Sequence, residues 1–132
     1  MKVVVDAGMI FSSLLSKSAG QRKILFNKEY KFYSPNFVFL EIFKHKEKIL
    51  KHTKTSESEV YEYLMPVLQR IHFINEEIIS LDNRMIAYEL CKNVDKNDTP
   101  FVALALELDA YLWSSDKKLI KGLKKKGFDR FF

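Results

Sequence analysis

Four carboxylates stand where a chain of alternating strands and helices would gather them: Asp6, Glu41, Asp98 and Asp116. Asp6 directly follows the β-branched run Val3-Val4-Val5, and Asp116 comes shortly after Tyr111-Leu112-Trp113. In an open parallel sheet all strands point their carboxyl ends to one edge, and ligands bind in the crevice there. If these two runs are neighbouring strands, both aspartates reach that crevice from distant parts of the chain. Asp98 heads an apolar helix whose start points to the same edge. Glu41 lies in a helix on which Phe39, Ile42, Phe43, Ile49 and Leu50 form one apolar arc. Helical spacing places it opposite that arc with Lys44, His45, Lys48 and Lys51, on an exposed ridge. Clustered carboxylates repel one another, and a fold retains them chiefly to hold hard cations such as Mg²⁺ or Mn²⁺. With lysines on the Glu41 ridge, the arrangement suits an acidic, cation-holding centre flanked by groups that attract phosphates.

Each acid also has a purely structural reading. Asp6 suits a strand-ending turn, and Asp98 and Asp116 suit helix N-caps. Glu41 suits a surface pair with Lys44 or His45. Taken singly none points to chemistry; their joint placement at one edge does. Oxygen ligands without a Cys/His set argue against zinc. His45, His52 and His72 lack metal-ligand spacing and read as structural or surface residues. No glycine-rich phosphate loop and no Ser/His/Asp order is present, which excludes P-loop nucleotide binding and acyl transfer.

The elements that must position these acids follow from periodicity. Lys2 to Val5 reads as a strand buried on both faces. A helical turn or two spans Met9 to Leu15, and Ser18 caps a second helix through Phe26. Tyr30 to Tyr33 is strand-like. Ser34-Pro35 then reads as an N-cap with proline at the first helical position, opening a helix to about Lys51. Ser56-Glu57-Ser58-Glu59 matches a capping box for a helix through Leu68. Arg70 to Ile74 is a strand, and Asp82 to Cys91 a helix. Thr99 to Leu108 is apolar around nearly its whole circumference, the mark of a helix enclosed by protein. A strand at Tyr111 to Trp113 leads through Ser114-Ser115-Asp116 into a helix from Lys117 to Lys125. Strands alternating with helices predict an α/β domain with a largely parallel sheet.

With 132 residues, 47% hydrophobic and 30% charged, one domain spanning 1–132 buries a real core and keeps a polar surface. The net charge of +5 and pI near 9.2 permit polyanionic partners without proving them. The single cysteine, Cys91, has no partner for an internal disulfide and reads as a small buried hydrophobe. No secretory signal is visible, and Asp6 interrupts the first apolar run. No stretch approaches the roughly 18 apolar residues of a spanning helix. The expectation is a cytoplasmic protein with no membrane segment.

Three stretches resemble the motifs of PIN domains, the PilT N-terminus nuclease family. Val3-Val4-Val5-Asp6-Ala7-Gly8-Met9-Ile10-Phe11-Ser12 is similar to the opening strand and first acidic motif, although Gly8 stands where the family usually carries Asn or Ser. Asp98-Thr99-Pro100-Phe101-Val102-Ala103-Leu104 is similar to the third acidic motif, and Leu112-Trp113-Ser114-Ser115-Asp116 to the fourth. Glu41 sits where the second acidic residue belongs. The resemblance implies a three-layer α/β/α domain with a parallel sheet of about five strands, and a Mg²⁺ or Mn²⁺ site. It implies an acidic tetrad of Asp6, Glu41, Asp98 and Asp116, with Ser114 in the hydroxyl position beside it; Asp95, three residues before Asp98, reads as an extra acid that supports the tetrad from outside. The implied activity is cleavage of single-stranded RNA, as in the toxins of toxin–antitoxin pairs, with an antitoxin protein as candidate partner. A homodimer is the further expectation, matched by an aromatic content of 14%. Lys44, Lys48, Lys117 and Lys118 are candidate phosphate contacts. Two rivals stand beside this reading: a PIN-like RNA- or protein-binding module without turnover, and a metal-dependent phosphohydrolase. The haloacid-dehalogenase form of the latter would need a second aspartate where Gly8 stands.

Overall fold

β-Branched and aromatic runs form the strands. In a computed structural model that describes residues 1–15, 19–45, 48, 51 and 56–132, four strands make one sheet. They are β1 (Lys2–Val5), β2 (Lys31–Pro35), β3 (Ile71–Ile74) and β4 (Tyr111–Trp113), in the order β3-β2-β1-β4 with every pairing parallel. Val3, Val4 and Val5 are fully buried, as a central strand covered on both faces requires.

Helices α1 (Ala7–Leu15) and α2 (Ala19–Leu25) join β1 to β2, and α3 (Asn36–Lys44) and α4 (Glu57–Gln69) lie between β2 and β3. Helices α5 (Leu81–Cys91) and α6 (Thr99–Leu108) carry the chain back past β1 to β4, and α7 (Lys117–Lys125) follows. The chain first moves from β1 toward β3 and then returns beyond β1. Right-handed crossovers therefore place α1–α4 on one face and α5–α6 on the other, giving three layers. Beneath the carboxyl edge Val5, Ile10, Leu104 and Leu112 are fully buried. Each such side chain contributes roughly 1.5–3 kcal/mol, so the edge rests on firmly packed core. α6 is enclosed as its composition predicts, with Phe101 to Ala105 all buried. Among the described residues no helix is long and apolar enough to cross a membrane.

Among the described residues the sheet has four strands, where about five were expected. The segment after α7 turns back at Gly127, whose φ of 95° suits glycine, and reaches β4 by a single bridge from Leu112 to Phe131. Two backbone bonds, Leu112 N–H to Arg130 O (2.8 Å) and Phe132 N–H to Leu112 O (2.9 Å), are all the pairing this segment makes with β4. That is too short a ladder for a strand.

Ser34-Pro35 also differs from expectation. Both residues extend β2, paired with Phe73 and Ile74, and the buried Ser34 hydroxyl donates to Val5 O at 3.0 Å. Pro35 takes the N-cap position of α3 without a side-chain cap bond. The sheet ladder outcompetes the local cap. The helix expected to reach Lys51 is described as α3 through Lys44, and the Ser18 cap lies outside the described residues.

Candidate metal centre

The strand order reverses between β1 and β4, and this switch point opens a crevice beyond the strands' carboxyl ends. Val5 pairs with Trp113, so Asp6 and Ser114 leave the sheet side by side, and the Asp6 N–H donates to Trp113 O at 3.2 Å. Asp6 is only 7% exposed. Its Oδ1 accepts the Met9 N–H at 2.8 Å, and its carboxylate is hydrogen-bonded to the Ser114 hydroxyl. Ser114 Oγ in turn accepts the Asp116 N–H at 3.1 Å. One hydroxyl thus ties the two strand-end aspartates together. Burial pushes the Asp6 carboxyl above its ordinary pKa; the Ser114 and Met9 donors pull it down, and the Asp116 charge pushes it up again.

Asp116 does cap the helix that follows it. Its Oδ1 accepts the N–H groups of Lys118 (3.0 Å) and Leu119 (3.1 Å), leaving Oδ2 outside the cap. Asp98 does not cap. It occupies the N-cap position of α6 with helical backbone (φ −88°, ψ −4°), and its side chain makes no cap bond. Pro100 removes one of the donors such a cap would serve. The Asp98 carboxyl instead meets other acids. Its pKa is pushed up to about 7, first by burial, then by the charge of Asp95 and a hydrogen bond to it, and then by Asp6 and Asp116. Carboxylate oxygens of Asp95, Asp98 and Asp116 lie within 4.8 Å of one another.

A cleft of about 600 Å³ opens beside this cluster, lined by Asp6, Gly8, Glu41, Lys96, Asp98 and Phe101 among others. Glu41 is therefore half-buried and turned to the cleft, not set on an exposed ridge. The helical wheel errs because it counts Phe39 and Phe43 as core. Val38 and Ile42 make the buried face of α3, while Phe39 meets Phe43 and Phe73 edge-to-face at the surface (ring centroids 5.0 and 5.3 Å). Phe37 and Glu41, four residues apart, share the cleft side.

All five predicted positions, Asp6, Glu41, Asp98, Ser114 and Asp116, come to this one edge. Asp95, expected outside the tetrad, belongs to the tightest group, and Lys96 lines the cleft. Asp95 caps the 3₁₀ turn Lys96–Asp98 by accepting the Asn97 N–H at 2.9 Å. Asp95 and Asp98 bracket this turn, and their three-residue spacing was the sequence signal for their contact. Gly8 does not release Asp6, because Met9 and Ser114 hold its carboxylate. A Cβ at Gly8 would sit 3.5 Å from Asp6 Oδ1, an ordinary contact. Cys91 is fully buried, and burial pushes its thiol up to about 11, which keeps it inert.

The donor set is oxygen throughout, crowded enough that one carboxyl holds its proton toward neutrality. Such a set fits a hard divalent cation and does not fit zinc. Fold and site together define a parallel α/β domain with an acidic cleft at its topological switch point. Residues 4–131 match the sequence profile of the PIN domain, and the chain belongs to that family, whose members are generally nucleases that use divalent metals. No curated protein matches the chain.

Proposed function

We propose that the protein is a Mg²⁺- or Mn²⁺-dependent endoribonuclease that cleaves single-stranded RNA in this cleft. The observation that carries the reading is Asp98. It heads α6 without capping it, and three other acids press on its carboxyl. Asp6, Glu41, Asp98 and Asp116 would hold the cation, with Asp95 as a further donor. When bound, a divalent cation lowers the pKa of water and neutralises charge developing at the phosphate. The chain's own groups prepare that chemistry. Ser114 fixes Asp6 against the Asp116 turn. Asp116 offers Oδ2 while Oδ1 is committed to α7. Lys96 supplies positive charge at the cleft wall, and Lys117 and Lys118 do so beside Asp116, where an anionic site would otherwise repel RNA.

The held position of Asp6 favours turnover over a binding module without activity. A protein partner belongs to the same reading. Leu81, Met85 and Tyr88 form an exposed apolar stripe on α5, which supports a homodimer or an antitoxin contact. Sedimentation equilibrium at micromolar concentration is expected to give two chains, and a single-chain mass would remove the dimer.

The functional test uses purified protein with Mn²⁺ or Mg²⁺ on labelled single-stranded RNA, single-stranded DNA and a generic phosphatase substrate. RNA cleavage that stops with EDTA and is lost in Asp6→Asn is expected. Equal cleavage by wild type and Asp6→Asn would assign the activity to a contaminant and overturn the reading.

A further inference from the structure

The positive charge of this molecule is concentrated in one helix. Between Asp116 and Lys126 stand six lysines against one aspartate, a net of +5, which equals the formal net charge of the chain. Elsewhere sixteen basic residues balance sixteen acidic ones. Leu119 and Leu123 bury one side of α7, and Gly122 lies so close to Val94 that a Cβ would come within 2.7 Å of it. The helix is therefore seated tightly, with its lysines outward and exposed. Among the described residues none of these lysines has a salt-bridge partner: the ion pairs there are Lys92–Glu89 and Arg130–Asp109. Lys126 donates only to the Glu89 carbonyl (3.1 Å), and Lys124 lies over the Phe131 ring (5.8 Å).

Lys117, Lys121, Lys124 and Lys125 flank Ile120 in an open groove of about 530 Å³. Helical spacing sets these four along one side, over a length of about 10 Å from Lys117 to Lys124. The groove begins one residue beyond Asp116, whose carboxylate belongs to the acidic cluster. A membrane-surface helix would need its apolar side free for lipid, and here Leu119 and Leu123 are in the core. What α7 offers outward is a row of uncompensated ammonium groups, the complement of a chain of phosphates.

We propose that the α7 lysine groove is a docking track for the phosphate backbone of single-stranded RNA, running from the Asp116 edge of the cleft along the outside of the domain. The proposal rests on the nuclease reading for the identity of the polyanion. It explains how a negative cleft acquires a negative substrate: the strand is held beside the cleft, so only a short stretch faces the acids.

Binding is tested without cleavage, in EDTA, by fluorescence anisotropy of a labelled 15-nucleotide oligouridylate. The variants are Lys121→Ala/Lys124→Ala/Lys125→Ala and, with the same change of net charge, Lys2→Ala/Lys28→Ala/Lys31→Ala on another surface. The α7 triple is expected to weaken binding about tenfold or more at low salt and to flatten the plot of log affinity against log salt by about 2, roughly 0.7 for each of three phosphate contacts. The second triple should stay near wild type. Equal losses in both triples would reduce the effect to net charge, and no loss in the α7 triple would remove the track; either overturns the proposal. Polyglutamate of matched length binding as tightly as RNA, and lost in the same triple, would assign the groove to an acidic protein instead and also overturn it. Melting curves verify folding, with a Lys→Gln triple in place of any variant that lacks a transition. An inactive wild type that still binds RNA through α7 would sink the nuclease reading and leave this one standing.

Discussion

Asp6 and Asp116 occupy the same station in two neighbouring strand-to-helix connections, β1 to α1 and β4 to α7. Both accept backbone N–H groups of the helix that follows, Asp6 from Met9 and Asp116 from Lys118 and Leu119. Their surroundings differ. Asp6 is buried, and its carboxyl is pushed upward chiefly by desolvation; Asp116 is exposed. A cap needs no burial, since its energy of about 1 kcal/mol comes from one or two hydrogen bonds at a helix end. Burying a carboxylate works against stability unless other groups compensate. The comparison teaches that capping alone does not separate a structural from a functional aspartate: both residues cap a helix, and only Asp6 does so from a buried position.

The largest expected effect tests whether the two connections act on one site. Under the proposed function Asp6→Asn and Asp116→Asn should each lower the RNA cleavage rate by more than about 100-fold, above the loss expected for an outer-shell partner. Asn still caps, so wild-type activity in Asp116→Asn would make Asp116 a cap alone and break the comparison.

Metal binding comes next. Saturating Mn²⁺, near 100 times its Kd, should raise the wild-type Tm by on the order of 10 °C, because the cation binds only the folded arrangement. Asp98→Asn should gain less than about a third of that rise, and Asp82→Asn, on the first turn of α5, should gain all of it. Equal gains in a thermal-shift assay would mean that the acids do not form one site.

A smaller effect follows pH. The Asp98 carboxyl titrates near 7 in the folded protein and lower in the unfolded chain, so the folded state holds the extra proton between these values. Metal-free wild type should be most stable at the acid end of this window and lose a few degrees of Tm as pH rises from 5 to 8. Asp98→Asn should flatten that slope and match or exceed the wild-type Tm at pH 8. A wild-type Tm that rises across the window would contradict the crowding of the acids.

The smallest effect concerns the link between the connections. Ser114→Ala removes the hydroxyl between Asp6 and the Asp116 N–H, at about 1 kcal/mol. It should also raise the Asp6 pKa further, because the carboxylate loses a donor to its charged form. Denaturant unfolding and carboxyl titration by NMR read the two effects separately.

Most of the candidate site was legible because four of its positions are tied to three strong local signals. A valine run ends in Asp6, an apolar helix begins after Asp98, and a short aromatic strand precedes Ser114 and Asp116. The parallel sheet then leaves little freedom in where these ends meet. Glu41 was assigned to the correct helix and the wrong face, since nothing local in the sequence shows that Phe39 and Phe43 satisfy each other outside the core. Ser34-Pro35 misled for a related reason: its local chemistry says helix start, while pairing with Phe73 and Ile74 decides for strand. The missing fifth strand turns on how few backbone bonds the segment near Phe131 makes, a tertiary outcome that composition does not carry. Asp95 was noticed for its three-residue spacing from Asp98; that the two carboxyls meet is a product of the 3₁₀ turn between them, which the spacing only suggests.

The parallel order β3-β2-β1-β4 has a consequence for the timing of assembly. β1 is made first, yet one of its two ladders waits for residues 111–113, and during synthesis its far edge has no partner from the sheet until about a hundred more residues have been added. Contacts of such sequence separation form slowly. The step that closes this edge also carries Ser114 and Asp116 to Asp6. Under the proposed function a nascent chain is therefore inactive before β4 docks, and the same docking removes an unpaired valine strand that would otherwise invite aggregation.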